Sequence, residues 1–261
     1  MYKKSYLWIV AVAIVLAGCT GSIDVVDQRS DGGDGSSNAG DGGSGDVALV
    51  ENRTAALRAA GSYTSVWKMS VTRDGERGGE TRYTTAVDYA GKRSDFRMRQ
   101  SDGDTVRTDY ETYFADGMGY QRIGSGEEAT YSVAETPFSP DTTLFNAEPK
   151  IYTYGGLDEF ETAGTETFDG VTVTRYERTQ RPAWLAGQFQ SEDDVRWTKF
   201  TFAVLVDGDG LVRSESWHAE GVDADDATVE MDFSYSLTGV GSTTVEEPDW
   251  ADAARENAAA Q

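Results

Sequence analysis

The chain has 261 residues with 23 Lys and Arg against 45 Asp and Glu, a formal net charge of −22. So negative a surface repels nucleic acid and gives anionic membrane surfaces no basic patch to hold, which excludes both as partners. One cysteine and one histidine exclude an internal disulfide and a multi-histidine metal site.

The chain opens with Lys3 and Lys4, then an apolar run from Leu7 to Ala17 that ends in Leu16-Ala17-Gly18-Cys19. A membrane span needs about 20 apolar residues, and this run is about half that, so it reads as a signal peptide over residues 1–18. Leu-Ala-Gly-Cys resembles the lipobox of bacterial and archaeal lipoproteins. The resemblance implies cleavage before Cys19, a lipid on its sulfur, and a mature chain held on the extracytoplasmic face of the cell membrane. No Arg-Arg pair precedes the run, which favours the general secretory route.

Losing Lys3 and Lys4 leaves 21 basic residues against 45 acidic ones, and only six of the original 23 bases are lysine. This balance is similar to that of proteins from salt-in halophilic archaea, where a Debye length of about 3 Å in molar salt screens the self-repulsion. On that reading the acidity reflects habitat rather than mechanism.

Residues 19–46 form the lipidated cysteine and a tether. Gly21 to Gly45 is dominated by Gly, Ser, Asp and Asn, and as a flexible coil it reaches about 25–30 Å. A calcium-binding Gly-Asp repeat needs more registered copies than Asp31–Gly35 and Asp41–Gly45 supply.

Residues 47–261 are long enough for one domain with its own core, ending in a short C-terminal tail. Val47, Leu49, Val50, Leu57 and Ala60 predict a helix over Val47–Ala60 with Gly61 at its C-cap. Asn52-Arg53-Thr54, the one glycosylation sequon, falls inside that helix and is expected to be unmodified. The period then changes to two: Ser65, Trp67, Met69 and Val71 alternate with polar neighbours, as do Val229, Met231, Phe233, Tyr235 and Leu237. Further strands are expected at Thr81–Tyr89, Arg93–Gln100, Thr105–Phe114, Met118–Ile123, Val171–Glu177, Val195–Val206 and Leu211–Ala219. Asp-Gly steps at Asp102, Asp116, Asp207 and Asp209 close hairpins, because glycine supplies the positive φ of primed turns. The sum is an antiparallel meander of about ten strands.

Two segments break the alternation. Pro137 to Phe160 carries Phe138, Leu144, Phe145, Ile151, Tyr152 and Leu157 with three prolines, which suits short helical turns crossing a sheet face. Pro182 to Phe189 reads as a second such insert with proline at a helix N1 position.

No catalytic arrangement emerges, and the chain is expected not to be an enzyme and to need no cofactor. His218 beside Trp217 reads as a wet-face strand histidine. Ser65-Val66-Trp67-Lys68 has the Ser-x-x-Lys spacing, but on a strand positions i and i+3 point to opposite faces. With 45 acids, no carboxylate pair can be singled out.

Three local features carry a resemblance of architecture: a tether and helix running into the Trp- and Met-bearing strand of Ala56–Val71, the hairpin Phe200–Arg213, and the closing strand Phe233–Gly241 with Val245–Pro248. Across Val47–Trp250 the chain resembles the LolA/LppX/LprG-like lipid-carrier lipoproteins, in a haloarchaeal surface form. The resemblance implies an α+β fold in which a strongly curved antiparallel half-barrel is closed on its concave face by an N-terminal helix and short mid-chain helices. It also implies a hydrophobic cavity for a lipid or isoprenoid chain. Face parity and the apolar insert nominate Trp67, Met69, Val71, Phe96, Met98, Tyr110, Phe114, Phe138, Leu144, Phe145, Phe200, Phe202, Met231, Phe233 and Tyr235 as its lining. Met and aromatic side chains make an adaptable wall for flexible hydrocarbon. The other reading of the same residues is a filled core in an envelope structural or interaction module.

Overall fold

A computed structural model describes residues 48–140, 148–152, 156–181 and 195–260. The chain divides into two units, 1–44 and 45–261. The first lies wholly outside the described residues, as do Cys19 and the tether. Leu144, Phe145 and the insert of Pro182 to Phe189 also lie outside them.

The larger unit is built on one antiparallel sheet. Its strands, in chain order, are β1 (Ser62–Arg73), β2 (Glu76–Asp88), β3 (Arg93–Asp102), β4 (Thr105–Ala115), β5 (Met118–Ile123), β6 (Thr130–Glu135), β7 (Glu161–Phe168), β8 (Val171–Arg178), β9 (Val195–Asp207), β10 (Val212–Asp223) and β11 (Thr228–Thr238). They lie in the order β6-β5-β4-β3-β2-β1-β11-β10-β9-β8-β7. The first and last strands of the domain therefore pair at the middle of the sheet. β6 and β7 are the two edges, and the sheet does not close into a barrel.

Turn chemistry sets much of this register. Asp74-Gly75, Asp116-Gly117 and Asp169-Gly170 each place both residues at positive φ, the requirement of a tight two-residue hairpin turn. At the β9–β10 hairpin Asp207 Oδ1 accepts the N–H groups of Asp209 and Leu211, each at 3.0 Å, while Arg213 Nε donates to Asp207 Oδ2 at 2.5 Å.

Helix α1 (Arg53–Ala60) is shorter than the expected Val47–Ala60. The N–H of Val50 is bonded to Gly210 O at 2.9 Å, so the chain before Asn52 is tied to the β9–β10 turn and does not belong to the helix. Asn52 is the N-cap: its Oδ1 accepts from Ala55 N at 2.9 Å. The sequon asparagine is thus exposed at a helix start rather than inside a helix. Gly61 caps the C-terminus at φ 85°.

Three elements go beyond the sequence reading. Edge strands β6 and β7 add to the nine strands placed from the sequence and make eleven, against the expected ten or so. The expected C-terminal tail contains helix α2 (Ala251–Ala259), whose Ala251 and Ala254 are fully buried against β5 and β6. Within the 137–160 insert, Lys150–Tyr152 is one 3-10 turn, with Ile151 buried.

Candidate functional site: one apolar sheet face

Cross-strand partners in an antiparallel sheet point to the same face. The register therefore traces one row across all eleven strands: Thr130, Ile123, Tyr110, Met98, Tyr83, Trp67, Tyr235, Glu215, Val204, Tyr176 and Thr162. Rows parallel to it on the same face carry Met69, Phe233 and Trp217, then Phe96 with Thr85 and Ser65. All the strand residues nominated from parity, from Trp67 to Tyr235, share this face. Phe138 joins them through ring contacts with Phe114 at 5.1 Å and Tyr89 at 6.2 Å.

Burial along the face is graded. Over β8 to β11 and β1 it is solid core: Trp67 meets Phe233 edge-on at 5.2 Å, Trp217 stacks on Phe233 at 5.5 Å, and α1 drives Leu57 into the centre. Towards β6, and towards the Arg73 end of β1, the cover thins. Met69, Val71, Phe96 and Tyr110 are half-buried against that core, and Ile123 is 50% exposed. At the turn end a cleft of about 410 Å³ opens between Lys92, Asp116 and the 136–138 segment, with Phe114 and Phe138 in its wall.

Inside the apolar face lies a polar group that sequence reasoning missed. Glu215, fully buried between Tyr235 and Val204, accepts the N–H of Ile151 through Oε2 at 2.9 Å. Burial pushes its carboxyl up to about 8, against the pull of the Ile151 and Lys150 N–H groups. Arg53, 6% exposed, donates to the Tyr235 hydroxyl at 2.8 Å and lies over its ring. Tyr152 accepts the Val212 N–H at 3.3 Å, so the 150–152 turn is pinned to β10 at Val212 as well as at Glu215. Parity could have found Glu215, which shares its face with Trp217 and Ala219.

The opposite face over β3 to β6 is charged and covered by α2. Arg122 donates to Glu111 Oε2 at 2.7 Å, Arg97 reaches Asp109 at 3.4 Å, and Trp250 Nε1 donates to Glu111 Oε1 at 2.7 Å. Asp95 on the same face is pushed up to about 7, by burial first and then by Glu111. His218 is also on the outer face, with Nδ1 2.8 Å from Asp232 and Nε2 3.3 Å from Glu220. Its partial burial opposes the charged form, and these two carboxylates outweigh that to raise its pKa.

Among the described residues, no group of three or more His, Cys, Asp and Glu is placed to hold a metal ion. No described helix is long and apolar enough to cross a membrane.

The chain belongs to a family of unknown function, DUF7537, whose model matches residues 5–254. No curated protein matches it. Among solved structures it is similar to the lipoprotein LppX of Mycobacterium tuberculosis, at 9% identity and TM-score 0.34, over 74% of this chain and 100% of that one. It is similar also to a LolA superfamily protein of Nitrosomonas europaea, at 11% identity and TM-score 0.21, over 75% and 94%. A third is a beta-barrel-like protein of a domain of unknown function from Brucella abortus, at 12% identity and TM-score 0.23, over 74% and 98%.

Proposed function

We propose that this chain is an exported, lipid-anchored, non-enzymatic lipoprotein that binds or carries a hydrophobic, lipid-like ligand on the apolar face of its sheet. Cys19 is the anchor, and the domain works on the extracytoplasmic side of the membrane. In this reading α1 and the Lys150–Tyr152 turn close the face as the cover of a half-barrel.

The observation that carries the proposal is the graded burial of one continuous apolar face. A sheet that needed only a core would end its large side chains where the cover ends. Here Tyr110 and Ile123 continue the row outward into partial exposure, with Met69 and Phe96 half-buried in the rows beside it, as a surface does when it awaits a flexible apolar partner. A second reading is favoured by the packed rings at Trp67, Phe233 and Trp217: a filled core whose outer rows dock an envelope protein.

Mass spectrometry of organic extracts from natively purified protein, paired with uptake of a fluorescent fatty acid, separates the two. A stoichiometric co-purifying lipid and saturable uptake are expected. Absence of both removes the carrier reading and leaves the interaction module.

A further inference from the structure

The open sheet ends in two edges that are built differently. β7 is broken: its register against β8 slips between Thr162 and Gly164, and Gly164 sits at φ 126°, so the strand carries a bulge. It also carries Glu161 and Glu166. Bulges and charges are how native sheets keep an edge from pairing with another chain. β6 has no bulge, and its only charge is at its end. Thr130 to Glu135 pair with β5 without a slip, and Glu135 is the last residue of the strand. On a chain of net charge −22, Thr130 to Ala134 is a neutral strip.

The register fixes which backbone groups this edge offers. Thr136 N–H donates to Gly117 O at 3.0 Å, and the two residues continue the β5–β6 register by one step. Hydrogen-bonded pairs alternate along an antiparallel ladder, so Ala134, Ser132 and Thr130 also turn their N–H and C=O groups to β5. Tyr131, Val133 and Glu135 therefore turn theirs off the sheet. Among the described residues no group bonds to them. Helix α2 meets β6 through side chains, with Trp250 stacked on Tyr131, and leaves these backbone groups free.

We propose that this edge pairs with the same edge of a second copy, the two β6 strands running antiparallel about a two-fold axis at Val133. Val133 then exchanges both hydrogen bonds with Val133 of the second copy, and Tyr131 exchanges both with Glu135 in each direction. On the opposite face Ser132 meets Ala134, and no carboxylate lies opposite another. Charge selects the occupant. A basic segment would find no carboxylate between Thr130 and Ala134 to hold it, whereas a neutral strand is what β6 itself supplies. The contact closes at two copies, because the other edge of each chain is the bulged β7. The proposal stands apart from the carrier reading.

Light scattering of the full chain in about 0.1 M and about 1 M salt tests it, since the Debye length falls from about 10 Å to about 3 Å and screens the repulsion between two acidic chains. A monomer–dimer equilibrium with no larger species is expected, at least about ten-fold tighter at the higher salt. Val133→Pro removes an outward N–H and leaves the β5 ladder intact, so it should weaken the dimer by about ten-fold or more. Ser132→Cys chains mixed with Ala134→Cys chains should form disulfide-linked pairs on mild oxidation, in higher yield than either variant alone, while the unmutated chain forms none. That cross-link decides the matter if Val133→Pro fails to fold. A monomer at both salts overturns the proposal. So does a dimer that gives no mixed disulfide, which would show that the copies meet elsewhere, and so does Ser132→Cys linking to itself as readily as to Ala134→Cys, which would move the axis off Val133.

Discussion

The N–H of Ile151 donates to Glu215 Oε2 at 2.9 Å, so a mid-chain turn is fastened to a carboxyl that no water reaches. Glu215 has a folded pKa of about 8 against an ordinary 4.5. Between those values the folded chain keeps a proton that the unfolded chain has lost. Glu215 therefore contributes stability that is fully present below about pH 4.5, falls as pH rises and is gone above about 8, at up to about 1.4 kcal/mol per pH unit. Glu215→Gln keeps an acceptor for Ile151 and cannot ionise. Its unfolding free energy, measured by denaturant titration in molar salt, should be flatter than that of the native protein across this window. Asp95, raised to about 7, titrates in part of the same window, so the comparison is the difference between the two proteins at each pH. A native slope unchanged by the substitution removes Glu215 as its source.

The C-terminal helix should come away from the sheet when its one indole is lost. Trp250 stacks on Tyr131 at 6.4 Å, lies under Arg122 at 5.8 Å and donates to Glu111. Trp250→Phe keeps the ring and leaves Glu111 with Arg122, so it should cost about 1 kcal/mol. Trp250→Ala should cost about 3–5 kcal/mol. Hydrogen exchange of residues 251–259 reports the difference, and protection unchanged in the alanine variant would show that the helix is held elsewhere.

Two hairpin glycines should respond unequally. At Gly117, φ 79°, an added Cβ meets nothing within 4 Å, so Gly117→Ala bears only the left-handed backbone cost, about 1–2 kcal/mol. At Gly210, φ 80°, the Cβ would meet the Val50 nitrogen at 2.8 Å and the Ala48 carbonyl oxygen. Gly210→Ala must also displace the strap that leads into α1, so its loss should exceed that of Gly117→Ala by about 1 kcal/mol or more. Thermal unfolding of the two variants checks the order.

Cys19→Ser should release the protein from membranes into the medium. Fractionation followed by mass spectrometry of the N-terminal peptide checks this. Full retention by a lipid-dependent route would remove the lipobox reading.

What was legible in the sequence, and what was not, divides by burial. The alternations at Ser65–Val71 and Val229–Leu237 are visible because each has one buried face, and those strands pair, Met69 opposite Phe233. β7 is exposed over seven of its eight residues, and β6 is nowhere better than half-buried, so neither shows a buried period. The apolar residues Val47, Leu49 and Val50 look helical by spacing, yet the bond from Val50 to Gly210 is a long-range contact that no local pattern announces. Helix α2 buries only the small residues Ala251 and Ala254 behind its N-cap Trp250, too little apolar signal to stand out. Glu215 is legible by parity alone, and parity is a faint signal among 45 acids.

Met69 and Trp67 are two residues apart on one face, and they should separate stability from binding. Trp67 is 7% exposed, with ring contacts to Tyr83 at 5.1 Å and to Phe233, so Trp67→Ala opens a cavity in solid core and should cost about 3–5 kcal/mol. Met69 lies one step outward, half-buried. Met69→Gln keeps most of the side-chain length and leaves the amide able to reach water, so its stability loss should stay below about 1.5 kcal/mol. If the outer rows hold ligand, the same change puts an amide against hydrocarbon in the bound state only. Fatty-acid uptake should then weaken by about five-fold or more while thermal unfolding in molar salt barely moves. A Met69→Gln protein that unfolds as easily as Trp67→Ala would place Met69 in filled core instead. Together with no uptake by the unmutated chain, that outcome leaves the apolar face as a packed layer with no ligand to hold.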